Sequence, residues 1–314
     1  MICNRNGIRA FGFGEEDGMR LGGEGPSGNF EDRTGQGGGF GLGGGGGNML
    51  GCLLPMVMSR FGIVGVLILL LGYCALTQLG GGGGGGLLPG GPTTSAPAGK
   101  STLSPEMSDF LKRVLGSTEE TWGEIFQKNG KRYVPTRMVA YTGGTQTACG
   151  MGQAAMGPFY CPNDKTIYLD PTFFNELSQR FGAPGDFAMA YVIAHEVGHH
   201  VQDLEGALDE AHNAQARSSE SQGNAIQVGV ELQADCYAGV WAANARDAQG
   251  NILEPGDVEE GMRAAEAIGD DMLQKQSQGV VVPESFTHGS SAQRMTALRT
   301  GLQSGDPAAC KFNR

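Results

Sequence analysis

From residue 105 onward, apolar side chains recur at helical spacing. Met107, Phe110, Leu111, Val114 and Leu115 line one face of a helix over 105–115, and Ser117 or Thr118, followed by Glu119 and Glu120, caps a second helix running to about Lys128. Short extended stretches follow at 137–141 and 166–169, punctuated by Gly143, Gly144 and Pro162. The rest predicts helices. One covers 171–180, and a longer one covers 187–205, capped by Asp186 and stopped by Gly206. Others fit 209–221, 223–247, 258–276 with a break near Gly269, and 291–302. The expected class is mostly α with a small β element, an α+β domain over residues 101–314.

Composition shortens the usable chain. Of 55 glycines, 32 fall in the first 100 residues, in runs such as 43–47 and 80–86 that have no side chains to bury, so residues 1–60 and 80–100 are expected to be flexible. Between them, residues 61–79 (FGIVGVLILLLGYCALTQL) carry no charge and match the length of one helical bilayer crossing. A cleaved signal peptide is the competing reading, but some 60 residues precede this segment, far more than an ordinary leader carries. Arg60 stands just before the span and Lys100 is the first basic residue after it, which points to a single-pass membrane protein with its domain on the extracytoplasmic, periplasmic side.

Residues 101–314 hold 16 Lys or Arg against 27 Asp or Glu. That acidity excludes a nucleic-acid partner, which needs a basic footprint. Four cysteines, Cys149, Cys161, Cys236 and Cys310, lie in this domain. They read equally as two disulfides or as four buried thiols. Within the disulfide reading, the short loop from Cys149 to Cys161 is the better pair.

The candidate chemistry sits in Ala194-His195-Glu196-Val197-Gly198-His199-His200. Residues four apart share a helix face with a rise of roughly 6 Å, so His195 and His199 can close on one tetrahedral zinc. Glu196 is turned about 100° from His195, where it can reach a water as general base without occupying a ligand position. Gly198 leaves room beside the metal. The bare pattern is only suggestive. A second feature supports it: Glu231 and Asp235 share a face of another helix, so Glu231 can be the third ligand and Asp235 can accept the remaining ring N–H of a ligand histidine. As an alternative, the two carboxylates form a solvated face, but Leu232, Ala234, Tyr237, Ala238, Val240 and Trp241 make that helix apolar almost all round. His200 falls off the ligand face, and His212 sits in a polar run.

Several segments in order, GPFYCP from Gly157, IYLD from Ile167, AHEVGHHVQ from Ala194, ELQADCYAGVW from Glu231 and THGSSAQR from Thr287, resemble the neutral zinc metallopeptidases of bacteria. The likeness spans nearly all of residues 101–314 and a glycine-rich, single-span N-terminal region. It implies a zincin-like, gluzincin-type domain holding one zinc per chain on His195, His199 and Glu231, with Glu196 as the base and a peptide or protein as substrate. Thr287-His288-Gly289 with Arg294 is similar to a segment of related membrane peptidases, which implies that His288 or the arginine donates to the oxyanion. The other reading of His288 is local packing beside a helix cap at Ser290 or Ser291. A catalytically inactive, zinc-stabilised membrane receptor or scaffold is the alternative function. Glu196 argues against it, because a base contributes nothing to tetrahedral ligation.

Overall fold

The computed structural model describes residues 19–21, 25–36 and 100–312. Four short strands form one sheet. Strands β1 (Phe30–Asp32), β2 (Arg137–Ala140) and β6 (Thr166–Leu169) run parallel, with Phe30 opposite Met138 and Met138 opposite Ile167. Strand β5 (Phe159–Cys161) closes the order β1-β2-β6-β5 as an antiparallel edge. Two antiparallel pairs stand apart from this sheet, β3 (Gly144–Thr147) with β4 (Gly150–Gln153) and β7 (Arg246–Asp247) with β8 (Gly250–Asn251).

Helices make up the rest: α1 (Pro105–Lys128), α2 (Thr172–Gln179), α3 (Asp186–Leu204), α4 (Ala207–Gln215), α5 (Glu220–Asn244), α6 (Asp257–Ala267), α7 (Asp270–Gln278) and α8 (Ser291–Ser304). Two of them form the centre. In α3 every residue from Phe187 to Gly198 is buried, and in α5 every residue from Gly229 to Ala242, so both behave as core helices apolar on all sides. Their axes approach closely because small residues meet. A side-chain carbon on Gly198 would lie 2.9 Å from the Ala234 carbonyl oxygen, so this glycine makes room for α5 rather than for a metal. Gly239 on α5 and Gly301 on α8 face the opposite backbone in the same way, which draws Arg294 towards Asp235.

Two departures from the expected boundaries shape the domain. Residues 105–128 form one helix: Thr118 folds its hydroxyl back onto the Leu115 carbonyl at 2.7 Å instead of capping a new start. The domain also takes in chain that composition assigned to the flexible region of residues 1–60. Strand β1 pairs with β2, Ser27 N–H donates to the Lys112 carbonyl, and Ser27 and Asn29 both donate to Glu119. Gly116, at the supposed break, is where this segment docks; a side-chain carbon there would sit 2.5 Å from the Gly25 carbonyl oxygen.

The four domain cysteines form two disulfides, Cys149–Cys161 and Cys236–Cys310. The single-pass membrane placement, and the periplasmic location drawn from it, must be corrected. Among the described residues no helix is long and apolar enough to cross a membrane, and the segment behind that expectation, 61–79, lies outside the described residues.

Candidate metal centre

The sequence places His195, Glu196 and the half-buried His199 together on α3 and the buried Glu231 opposite them on α5. His195 Nε2 lies 3.2 Å from Glu231 Oε2, and His199 Nε2 lies 3.6 Å from the same oxygen. One ligand atom from each of the three residues falls within 4.8 Å of the others, so the set fits a single ion with two nitrogen donors and one carboxylate. Each ring is held at its other nitrogen. His195 Nδ1 is 2.7 Å from Asp235 Oδ1, and His199 Nδ1 is 2.9 Å from Gln202 Oε1. A ring that donates through Nδ1 keeps its Nε2 lone pair for a metal, so both histidines could bind one through Nε2.

The electrostatics suit a cation. Burial alone would lower the basicity of His195, but the Asp235 and Glu231 carboxylates raise its pKa to about 10. His199 is raised likewise, against its burial, by Glu231. Burial would push Glu231 up, yet the two imidazoles hold it well below the usual carboxylate range. Positive charge is therefore favoured between these groups, and zinc can supply it in place of protons.

Behind His195 lies a closed network. Arg294 grips Asp235 with Nε and Nη2, both at 2.8 Å, while Tyr191 donates to Asp235 Oδ1 at 2.6 Å and accepts from Arg294 at 3.2 Å. All three are buried, with Asp235 fully enclosed. Burial would raise the Asp235 pKa, but Arg294 and His195 hold it at about 2. The sequence reading had offered this arginine to the substrate; the structure commits its guanidinium to Asp235.

Glu196 is buried and lines the same cleft as His195, His199 and Glu231, yet its carboxylate stays outside the hydrogen bonds joining those residues and Asp235. The cleft measures about 980 Å³. Strand β5 and the segment before it form one wall with Met156, Phe159 and Tyr160, and Phe173 and Phe181 from α2 and the turn after it contribute further apolar surface. His288 also lines the cleft. Its side chain is half exposed, and Asp270 holds it by Nδ1 at 3.2 Å while taking the main-chain N–H groups of Thr287, His288 and Gly289. The hydrogen bond to Asp270 raises its basicity, outweighing burial. His200 is not part of the metal set: its ring is fully buried between Tyr160 and the Val134 carbonyl. His212 lines the cleft but does not join the His195, His199 and Glu231 group. The Cys149–Cys161 bridge ties the β3–β4 hairpin to β5 at the cleft wall.

Sequence reasoning missed Tyr191, Gln202, Gln233 and the position of Arg294. For Tyr191 and Gln202 the available signal was a polar residue about one turn from a histidine within a helix otherwise apolar all round, where a buried polar group needs a partner.

Comparison with known proteins bears on the family. A family model described as putative neutral zinc metallopeptidase matches residues 19–312, beginning where the described N-terminal segment docks. The chain is 44% identical over 295 residues to the uncharacterized protein YpfJ of Escherichia coli K12, covering 93% of this chain and 98% of that protein. It is also 44% identical over 187 residues to the uncharacterized protein Rv2575 of Mycobacterium tuberculosis H37Rv, covering 57% and 62% respectively. No solved structure matches the chain. With a family match over nearly the whole described domain, the chain belongs to the family described as putative neutral zinc metallopeptidase.

Proposed function

We propose that this protein hydrolyses peptide bonds at a zinc centre held by His195, His199 and Glu231, one ion per chain. The observation that carries the reading is the convergence of two imidazoles and a carboxylate, each ring already held at Nδ1, beside a buried carboxylate outside that network. When bound, zinc supplies a Lewis acid that polarises a carbonyl and acidifies water.

The chain's own groups perform the proton transfers. Glu196 takes a proton from water, the water oxygen attacks the scissile carbonyl carbon, and Glu196 returns the proton to the amide nitrogen as the C–N bond breaks. His288, backed by Asp270 and raised in basicity, donates through Nε2 to the oxyanion that develops. A peptide is the favoured substrate because β5 pairs only with β6 among the described residues. Its free edge borders the cleft, where an extended chain can add as another strand. Apolar side chains along that wall suit apolar substrate residues.

The test is Glu196→Gln in the full chain. Gln keeps the shape but cannot act as a base near neutral pH, so zinc content and thermal stability should stay unchanged while cleavage of a mixed peptide library falls roughly 100-fold or more. Equal rates in both forms would remove Glu196 from the role. Full zinc occupancy with no cleavage by the parent would put the scaffold reading ahead.

A further inference from the structure

The two histidines are held in different ways. His195 rests on a carboxylate that is itself clamped by an arginine, whereas His199 rests on a neutral amide, Gln202. An amide offers an oxygen on one side and two N–H groups on the other, so it orients a histidine only if something orients the amide.

Here the orientation can be deduced bond by bond. The Gln202 amide nitrogen lies 2.8 Å from the Val230 main-chain oxygen, which can only accept, so the NH2 must face it. The same nitrogen reaches Gln233 Oε1 at 3.0 Å, which requires Gln233 to present its oxygen. Gln233 does so because its own NH2 is spent on the Cys310 main-chain oxygen, 2.9 Å away and again only an acceptor. The Gln202 oxygen is therefore left facing His199 Nδ1, which must be the protonated nitrogen. Gln202 is fully buried and Gln233 is 4% exposed, so solvent cannot stand in for a missing bond.

The end of this relay is fixed covalently. Cys310 follows the 3-10 turn Pro307–Ala309 close to the C-terminus, and its disulfide to Cys236 holds its backbone against α5, one turn beyond Gln233. The geometry points to Gln202 and Gln233 as positioning residues for His199, with the Cys236–Cys310 disulfide setting metal affinity by holding the Cys310 carbonyl that orients both amides. This inference rests on the metal-site reading above. It assigns the disulfide a task that chain cross-linking alone does not require.

The experiment uses the full chain and reads two quantities: zinc affinity by competition with a chromophoric chelator, and hydrogen exchange of the Gln202 side-chain amide by NMR without metal. Gln202→Met and Gln233→Met keep comparable volume while breaking the relay, and each should weaken zinc binding about 10- to 100-fold, the range for losing an outer partner of a ligand histidine. Cys236→Ala with Cys310→Ala should weaken zinc binding in the same direction and accelerate exchange of the Gln202 amide. Cys149→Ala with Cys161→Ala should leave both quantities unchanged. Loss of thermal stability with parental zinc affinity in the folded Gln202→Met and Gln233→Met proteins would overturn the inference and leave the metal site standing. Loss only in Gln202→Met and Gln233→Met, with parental affinity and exchange in the Cys236/Cys310 variant, would overturn the role of the disulfide. If the parent itself binds no zinc, the metal reading fails, and fast exchange of the Gln202 amide in the parent would then overturn the relay as well.

Discussion

Two groups of three potential ligands occur among the described residues, and their surroundings differ in sign. His195, His199 and Glu231 join α3 to α5; Asp186, Asp257 and Glu260 meet near the start of α3. In the first group, imidazole and carboxylate answer each other, so the histidines are raised in basicity and Glu231 is lowered. In the second, three carboxylates meet main-chain N–H groups instead. Met19 and Phe187 donate to Asp186, Phe187 donates to Glu260 and Glu254 donates to Asp257. Burial and mutual repulsion then raise Asp257 and Glu260. Proximity is common to both, but only the first has a donor set and charge pattern suited to zinc. The second serves the positive end of a helix and the docked N-terminal segment.

The largest effect should come from removing the carboxylate that both imidazoles face. Glu231→Ala leaves two imidazoles facing each other without their carboxylate. Zinc affinity should fall by more than the roughly 100-fold typical of losing an outer partner, measured as metal content after dialysis. Glu260→Ala should leave zinc content at the parental level. Full retention in Glu231→Ala would break the comparison by showing that another group supplies the third donor.

Next in size is the clamp behind the first group. Arg294→Met leaves the enclosed Asp235 with one counter-charge fewer, and a broken buried pair costs about 3–5 kcal/mol. Denaturant unfolding should show that loss. Adding Asp235→Asn should recover part of it, since an uncharged amide does not need the guanidinium. A loss of under 1 kcal/mol for Arg294→Met would mean that Tyr191 and His195 suffice to hold the carboxylate.

Much of this chemistry was legible in the chain because helix geometry fixes it locally. His195 and His199 are one turn apart, Glu231 and Asp235 likewise, and the apolar surroundings of both pairs announce burial. What escaped depends on contacts distant in sequence. Gln233 has meaning only once Cys310, 77 residues on, brings its carbonyl. Arg294 could be placed near the site, but its partner could not, because Asp235 and a substrate oxyanion attract the same guanidinium. Phe30, Glu31 and Asp32 form a strand only because Met138, Val139 and Ala140 lie beside them, and three residues amid glycines carry no periodicity of their own. The hairpin of β3 and β4 was hidden for the same reason: Gly144, Gly150 and Gly152 read as loop. The helices that hold the candidate metal site were thus readable in sequence, whereas the wall that would select a substrate was not.

The smallest expected effect tests the second group through its pH dependence. Asp257 is 2% exposed, and burial, with repulsion from Asp186 and Glu254, lifts its pKa to about 6 despite the N–H it accepts from Glu254. The folded protein therefore holds this proton to higher pH than the unfolded chain, whose aspartates titrate near 3.8. By linkage the stability it contributes is fully present below that value and is lost as pH rises to about 6, the reverse of a salt-bridged carboxylate. Asp257→Asn removes the ionisation while its side-chain oxygen still accepts from Glu254. The gain at pH 7.5 should be about 1 kcal/mol, modest because the buried amide of Asn also loses its hydration, and should appear as a rise of roughly 2–4 °C in Tm. Near pH 4 the parental side chain is protonated in the folded state, so the two proteins should melt together. A variant that melts lower than the parent at pH 7.5 would mean that the negative charge of Asp257 is needed there, and the contrast between the two groups would fail.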